Sequence, residues 1–388
     1  MKYSSLAAIA LIGSVGAAPL EARTFLEVDG LAVQGVFNLG MYIAKNGYPN
    51  PKKCTLENVA VRKEWGLLLP HERKNYINAV QCVSKKAPKT PASLASGVRN
   101  RYDDFVATHI NQTLSIHGTG NFLAWHRYFT WAYEQALRNE CGYKGYQPYF
   151  NWARWADNPL TSPIFDGGPL SMSGNGEFKT RNDTCIPAPE LCLIKLPTGQ
   201  GGGCVKSGPF KDWKVNLGPI AAVLPDVPKN PEMSGLGYNP RCLRRDISKA
   251  AAQGWNKDSD VSSLIRDNPD PYWFITNMQG NFPAGNLGVH TGGHFIIGGD
   301  PGGDLFASPG DPAFFLHHAM IDRVWWTWQN LDIKNRQYSV SGTLTVNNEP
   351  PSRNATLDDL MDLGVNAGSL SIRDASNTLG GPFCYIYA

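Results

Sequence analysis

The sequence predicts a mainly α fold with long irregular loops and few short strands. Apolar residues recur with helical spacing in several segments, whereas strand candidates are short, at 26–31 and in the alternating segment 338–346. The stretch from 158 to about 240 is rich in Gly and Pro and has weak periodicity, which indicates irregular surface structure on the same domain. The predicted helices lie at 56–84 with a break at Pro70, then at 102–110, 121–139, 244–256, 259–278, 288–295, 312–331 and 357–363.

The first eighteen residues have the layout of a secretory signal peptide. Lys2 precedes an apolar run over 5–18 that ends in Gly-Ala-Ala, which predicts a cut between Ala18 and Ala22. The run is too short to cross a membrane, and no later stretch is long enough. We therefore expect a secreted protein whose residues 23–388 form a single domain.

Composition and cysteine usage agree with export. The net charge is +3 and no Lys/Arg cluster stands out, which argues against nucleic acid and acidic membranes as partners. The eight cysteines are an even set, so up to four disulfides are expected, and their pairing is open. None forms CxxC, which argues against a thiolate zinc site. Three glycosylation sequons, at Asn111, Asn182 and Asn354, favour a eukaryotic secreted glycoprotein.

Seven of the eight histidines fall in two short windows, and only His71 lies outside them, at an expected surface position. Each window is rich in aromatic residues that are normally buried. Such clustering favours two metal sites over isolated core histidines. The first window holds His109, His117 and His126, and the second holds His290, His294, His317 and His318.

The spacing within each window has a geometric consequence. His290 and His294 are four residues apart, so both project from one helical face. His117 and His126 are nine residues apart and would diverge on one helix. They can converge only if His117 lies on a loop that folds back, as Gly118 and its neighbouring glycine would allow.

The ligand type narrows the choice of metal ion. Imidazole without thiolate or carboxylate suits copper, zinc, nickel or iron, and copper(II) binds most tightly among the common divalent ions. A catalytic zinc site would normally include a carboxylate, as in HExxH, and di-iron bundles need Glu-x-x-His pairs. Two groups of three nitrogens therefore favour two coppers that bind dioxygen between them.

One helix cannot present two adjacent histidines in the same direction, so only one of His317 and His318 is expected to bind the metal of the second group. We assign His318 as the ligand because Asp322 follows it on the same helical face, and we expect His317 to pack beside the site. Asp322 is expected to support the metal centre by accepting a ring N–H from a ligating histidine, or by fixing Arg323.

These residues resemble the type-3 copper family of tyrosinases, catechol oxidases and molluscan-type haemocyanins. The first element, HxxxxxxxH followed nine residues later by the histidine of NFLAWHRYFTWAYEQALR, resembles theirs at His109, His117 and His126. The second, HTGGH with the later DPAFFLHHAMIDRVWWTWQ, resembles theirs at His290, His294 and His318.

The resemblance implies a central four-helix bundle that holds a dicopper site. Tyr385-Ile-Tyr387 resembles the Tyr motif that closes the family's central domain. In length and secretory start the chain is most similar to short fungal secreted polyphenol oxidases. We expect no C-terminal shielding domain and hence no need for proteolytic activation.

Several positions depart from family patterns. Some relatives carry a Cys, cross-linked to the second histidine, where this chain has Ser115, so no thioether can form there. Efficient monophenol hydroxylases often have Asn after the fourth histidine and a nearby Glu, whereas Thr291, Gln279 and Asn281 occur here. Without that carboxylate, phenol deprotonation lacks its usual base.

Two further positions carry roles that the resemblance implies. Leu305, thirteen residues before His318, corresponds to a side chain that overhangs the second copper as a gate. Phe314 resembles the Phe that packs against the fifth histidine, His294.

The expected activity is oxidation of o-diphenols to o-quinones with reduction of dioxygen to water, with weaker o-hydroxylation of monophenols. The substrate ring is expected to stack against His294. One alternative is a haemocyanin-like oxygen carrier without catalysis, which the small chain without repeats argues against. The other is a zinc hydrolase with a histidine-only site. The preferred phenol and the oligomeric state are left open.

Overall fold

The computed structural model describes residues 25–388, in which helices dominate, so the mainly α prediction is confirmed. The expected signal peptide and its cut lie outside the described residues. The helices are α1 (Glu27–Asn46), α2 (Pro70–Val83), α3 (Arg101–Ile116), α4 (Phe122–Cys141), α5 (Lys249–Trp255), α6 (Asp258–Asp267), α7 (Pro271–Gln279), α8 (Gly288–Ile297), α9 (Phe314–Leu331), α10 (Ile333–Arg336) and α11 (Ile372–Ala375).

The strands are short and pair two by two within the described part of the chain. The parallel pair joins opposite ends of the chain, since Ala60 faces Tyr385 and Arg62 faces Tyr387. The strands are β1 (Ala60–Arg62), β2 (Gly176–Phe178), β3 (Thr184–Ala188), β4 (Leu191–Leu196), β5 (Gly202–Val205), β6 (Lys214–Val215), β7 (Arg241–Cys242), β8 (Leu360–Met361), β9 (Leu370–Ser371) and β10 (Tyr385–Tyr387).

The first helix was not anticipated, because 26–31 was expected to be a strand or loop. Its buried residues include Val28, Ala32, Leu39 and Ile43, which form a helical stripe against α9 and α6. Apolar residues on the opposite face hide this period in the sequence. The backbone N–H groups of Glu27 and Val28 have no acceptor within the helix, and they donate instead to the carboxylate of Asp258, at 2.7 and 2.9 Å. A residue distant in sequence therefore caps the helix.

Three predicted helices were placed correctly but were too long, and in one of them, 244–256, the helix begins only at Lys249. The prediction that Pro70 begins a helix is confirmed, whereas 56–69 contains β1 and a short 3-10 turn. The predicted helix 259–278 is two helices, because Pro269 and Pro271 interrupt it. Asp270 caps the second of these by accepting from the N–H of Tyr272 at 2.8 Å.

Two predictions near the C-terminus were wrong. The segment 338–346 is not a strand, since it lacks a partner strand and forms one isolated bridge, Thr343 with Asn354. The carbonyl of Thr343 instead accepts from the N–H of Gly120, which holds this segment against the loop between α3 and α4. The segment 357–363 is not a helix, because Leu360–Met361 pairs with Leu370–Ser371.

The histidine-bearing helices form a connected set. Helix α3 packs on α4, α4 on α9, and α9 on α8. An aromatic core lies among α3, α4 and α9, in which the rings of Tyr133 and Phe315 stack at 3.5 Å and Phe105 meets both edge-on. This packing fixes the relative positions of the helices that hold the metal-binding candidates.

All eight cysteines are paired in disulfides. Cys54–Cys384 lies beside the β1–β10 pair, and the Gly/Pro-rich region carries two more crosslinks. No helix within residues 25–388 combines the length and the apolar character that crossing a bilayer requires. The four disulfides are Cys54–Cys384, Cys82–Cys141, Cys185–Cys192 and Cys204–Cys242.

Candidate metal centre

Three imidazoles from α3 and α4 meet in the core. His109 lies on α3, His117 directly follows the end of α3 at Ile116, and His126 lies on α4. Their ring centroids are 5.1 Å (His109 to His117), 5.7 Å (His109 to His126) and 4.9 Å (His117 to His126) apart. All three side chains are buried, and the chain turns back between them as their spacing required.

Backbone carbonyls fix the orientation of each ring in this first group. Nδ1 of His117 lies 2.9 Å from the carbonyl oxygen of Thr113, and Nδ1 of His126 lies 2.8 Å from that of Phe122. Nδ1 of His109 lies 2.8 Å from the carbonyl oxygen of Phe306. Because a carbonyl can only accept, Nδ1 must carry the proton in each ring. Each Nε2 then keeps its lone pair, and none of the three has a hydrogen-bond partner.

The second group converges from α8 and α9. Nε2 of His294 lies 3.2 Å from Nε2 of His290 and 3.2 Å from Nε2 of His318. Burial lowers the pKa of all three rings, that of His294 to about 3, so they are neutral near pH 7. Three imidazole nitrogens this close are the donor set that one cation would satisfy.

The two groups face each other across a short distance. The rings of His126 and His318 stack with centroids 4.5 Å apart, and those of His117 and His290 are 5.8 Å apart. Burial also lowers the pKa of the first group, that of His117 to about 4. Neutral imidazole is the form that binds a metal. The residues therefore fit two adjacent metal ions, each held by three nitrogens.

Phe314 forms a wall between the groups. Its ring stacks on His318 at 4.1 Å, packs at a tilt against His294 at 5.7 Å, and meets His109 edge-on at 5.5 Å. The expected contact with His294 is confirmed. Phe314 offers no metal-binding atom, so its part is to hold three rings in place and exclude water.

The expectation that His317 and His318 could not both point inward was wrong. The ring of His294 lies 4.5 Å from that of His317 and 5.2 Å from that of His318. The space for His317 exists because Gly293 has no side chain: a Cβ there would lie 2.2 Å from the His317 ring. Close approach of α8 to α9 therefore brings both histidines to the centre.

A tryptophan distinguishes these two histidines chemically. The indole Nε1 of Trp152 donates to Nδ1 of His317 over 3.1 Å. An indole N–H can only donate, so a neutral His317 must carry its own proton on Nε2, which leaves no lone pair for a metal. His318 has no such constraint at Nε2 and thus remains the candidate ligand.

The supporting role expected for Asp322 was wrong. Its carboxylate does not bond a histidine and does not fix Arg323, which pairs with Asp29 at 2.9 Å. Asp322 instead accepts from Arg127 Nε at 2.5 Å and Arg62 Nη1 at 3.2 Å. It also accepts from the hydroxyl groups of the two tyrosines in β10, each at 2.6 Å. Asp322 therefore joins α9 to α4, the helix of His126, and to the C-terminal strand.

The other predicted site residues lie around the centre. The hydroxyl group of Thr291 donates to the carbonyl oxygen of Gln279 over 2.7 Å. Leu305 is 43% exposed, and it directly precedes Phe306, whose carbonyl oxygen bonds His109. The hydroxyl group of Ser115 donates to the carbonyl oxygen of Gln112, at 2.9 Å.

Sequence reasoning missed three residues that shape the centre: Trp152, Gly293 and the carbonyl of Phe306. Trp152 occurs in an aromatic-rich stretch that predicts only burial, and nothing near it in sequence indicates a histidine partner. Gly293 lies between His290 and His294 in the sequence. A glycine inside a helix lowers stability, which could have signalled a close approach.

Comparisons with known proteins agree with this geometry. A family model described as the common central domain of tyrosinase matches residues 99–331. The tyrosinase-like protein orsC of Emericella nidulans is 44% identical over 315 residues, which cover 78% of this chain and 83% of that protein. Tyrosinase P of Aspergillus terreus is 42% identical over 330 residues, which cover 84% and 91%.

A solved structure extends the likeness to three dimensions. A mutant polyphenol oxidase from Thermothelomyces thermophila superposes with a TM-score of 0.88 at 43% sequence identity. The match covers 93% of this chain and 98% of that one.

Proposed function

We propose that this chain, which belongs to the tyrosinase family of type-3 copper proteins, oxidises o-diphenols to o-quinones. The family's members are dicopper oxidoreductases that use dioxygen, and the two buried histidine groups fit that cofactor. The balanced reaction consumes two o-diphenols and one dioxygen, and it yields two o-quinones and two waters. When bound, the copper pair would hold dioxygen and accept the electrons from the diphenol.

The ligands proposed are three nitrogens for each copper. Nε2 atoms of His109, His117 and His126 would hold the first ion, and those of His290, His294 and His318 the second. The observation that carries this proposal is the meeting of neutral, buried imidazoles whose Nε2 atoms have no other described partner than one another. Copper suits such a set better than zinc or iron because neither thiolate nor carboxylate contributes.

His294 is proposed as the histidine that the substrate ring meets. It is 9% exposed, more than any other of the six proposed ligands. The protein positions a phenolic ring by offering the face of this imidazole, while Phe314 excludes water behind it. Leu305, with 43% of its surface exposed, is proposed as a mid-sized gate that leaves the site accessible.

Monophenol hydroxylation is proposed to be the weaker activity. The hydroxyl group of Thr291 donates its proton to the carbonyl of Gln279, so it has no proton left to donate to a water next to His290. The side chain of Gln279 is an uncharged amide, which cannot take the phenol proton as a carboxylate would. An o-diphenol loses its protons more readily as it is oxidised, so its reaction depends less on such a base.

Secretion is proposed as well. Four disulfides are typical of an oxidising compartment, and the sequon residues Asn111, Asn182 and Asn354 are all exposed. Small phenolic molecules and dioxygen are the proposed partners.

Oxygen uptake by the copper-loaded protein tests the activity. With catechol we expect uptake at one dioxygen for two quinones formed, and with phenol an initial rate at least about tenfold lower. A H294A variant should lose uptake, whereas H71A, which changes an exposed histidine outside both groups, should retain it. Reversible oxygen binding without quinone formation would support the oxygen carrier instead. Purification with zinc and without copper would support the hydrolase.

A further inference from the structure

His117 is supported differently from the other histidines of its group. His109 and His126 lie within helices, whereas His117 follows the last residue of α3 in an extended conformation, with φ −123° and ψ 144°. The next residue, Gly118, has φ +60° and is exposed. The position of the His117 ring therefore depends on what holds this short loop.

Gln279 holds the loop from the opposite side of the centre. Its side-chain Oε1 accepts from the backbone N–H of Gly118 over 2.7 Å. Its main-chain carbonyl accepts from the hydroxyl group of Thr291 over 2.7 Å. One residue thus bonds the neighbour of His117 and the neighbour of His290.

Gln279 belongs to the rigid support of the second group. It ends α7, which packs closely against the beginning of α8. A Cβ on Gly288 would lie 2.5 Å from the carbonyl oxygens of Asn277 and Met278, so the two backbones are in direct contact. A Cβ on Gly280 would lie 2.4 Å from the carbonyl oxygen of Leu287. Gln279 therefore cannot move independently of α8.

We infer that Gln279 is a positioning residue that holds the first histidine group in place relative to the second, so that both can keep their copper ions. It does so by tying the loop of His117 to the helix of His290. This inference rests on the proposed ligand sets. Loss of the acceptor at Gln279 would free the N–H of Gly118 and let the His117 loop move away from α8. The first copper would then be held less firmly, while the second, whose ligands lie on α8 and α9, would not be affected.

Copper release into excess chelator tests this inference without any substrate. In Q279L, which lacks the acceptor, we expect one of two coppers to leave about two to ten times faster than in the parent protein, the equivalent of one lost hydrogen bond. The other copper should leave at the parent rate. Q279E keeps an acceptor oxygen at the same position and should restore slow release.

A matched control separates this role from general loss of stability. Gln81 also makes a 2.7 Å hydrogen bond to a backbone group, the carbonyl oxygen of Pro209, and it lies on α2, which carries none of the proposed copper ligands. Q81L should therefore release both coppers at the parent rate. In Q279L the absorption band that forms when dioxygen is added to the reduced copper protein should also weaken, and in Q81L it should not.

Each outcome decides between distinct conclusions. Equal release from Q279L and the parent protein, both loaded with two coppers, would overturn the inference and leave the proposed function intact. Faster release of both coppers in Q279E and Q279L alike would also overturn it, because the acceptor would then not matter. A parent protein that binds no copper would overturn the proposed function itself.

Discussion

The first and second histidine groups have the same ligand type but are held in different ways. In the first, each ring donates Nδ1–H to a backbone carbonyl. For His117 and His126 this carbonyl belongs to the residue four positions earlier in the chain. In the second, Nδ1 of His290 and Nδ1 of His318 have no hydrogen-bond partner among the described residues. Of the three rings, only that of His294 has a backbone hydrogen-bond partner, Gly302, and the other close contacts run between the rings and to Phe314.

This difference shows two ways to preorganise a metal site. A carbonyl one turn away fixes a ring through the helix that carries it, so the orientation survives small shifts between helices. Rings that are fixed by packing depend on the distance between α8 and α9. We therefore expect changes in the packing of α8 against α9 to disturb the second group more than the first.

The largest effect is expected from the adjacent histidines of the second group. H318A should remove one of two coppers and lower catechol oxidation by more than about a hundredfold, since a ligand is lost. H317A should retain both coppers, because the hydrogen bond from Trp152 leaves His317 without a free lone pair. Metal analysis and initial rates measure both. If H317A loses copper as H318A does, His317 is a ligand and the tautomer assignment is wrong.

A smaller effect, on stability, is expected at Asp322, whose ion pair with Arg127 joins α9 of the second group to α4 of the first. D322N removes a buried charge that pairs with Arg127 and Arg62, which would leave guanidinium groups without that partner. Breaking such a buried pair costs about 3–5 kcal/mol in the free energy of unfolding. Urea denaturation of the copper-free protein measures it. D358N, at an exposed ion pair with Arg373, is the control and should change stability by less than about 1 kcal/mol.

The copper-free protein should lose stability as the pH falls. Burial lowers the pKa of His117 to about 4 and that of His294 to about 3, whereas the unfolded values are near 6.5. Below pH 6.5 the unfolded state therefore binds more protons than the folded state. The stability is fully present above pH 6.5 and declines by up to about 1.4 kcal/mol per pH unit for each such histidine as the pH falls.

Variants can assign this pH dependence to the two groups. In H117Q the loss of stability that His117 causes between pH 6.5 and about 4 should disappear. In H294Q the loss of stability that His294 causes between pH 6.5 and about 3 should disappear. Denaturation midpoints of the copper-free proteins at pH 7.5 and 5.0 measure both. H71Q should leave the pH dependence as it is. Midpoints that are equal at both pH values in the parent protein would contradict the burial of neutral rings.

The smallest effect is expected at the start of the helix that carries His109. The side chain of Asn100 accepts from the N–H of Asp103 at 3.1 Å and caps α3, whereas no side chain of the N-cap residue caps α8 or α9. N100A should lower stability by about 1 kcal/mol. A thermal melt that shows no loss in N100A would mean that the cap is satisfied by other groups.

Much of the candidate centre could be predicted from the sequence. The four-residue spacing of His290 and His294 places both on one face of a helix whatever surrounds it. The nine-residue spacing of His117 and His126 required a loop, and α3 indeed ends at Ile116. The α1 helix was missed because a distant carboxylate, Asp258, caps it, and the segment 357–363 was misassigned because Leu360–Met361 pairs with Leu370–Ser371.

The sequence by itself determined the helical character, the two histidine windows and the even set of cysteines. These features depend on residue type and on spacing along the chain, which short-range geometry converts directly into structure. Only the tertiary structure decided which atoms meet. Trp152 sets the proton of His317, Asp322 joins α9 to α4, and Gln279 joins the two halves of the centre. Each of these contacts spans more than 150 residues, and no local pattern records a partner so far away.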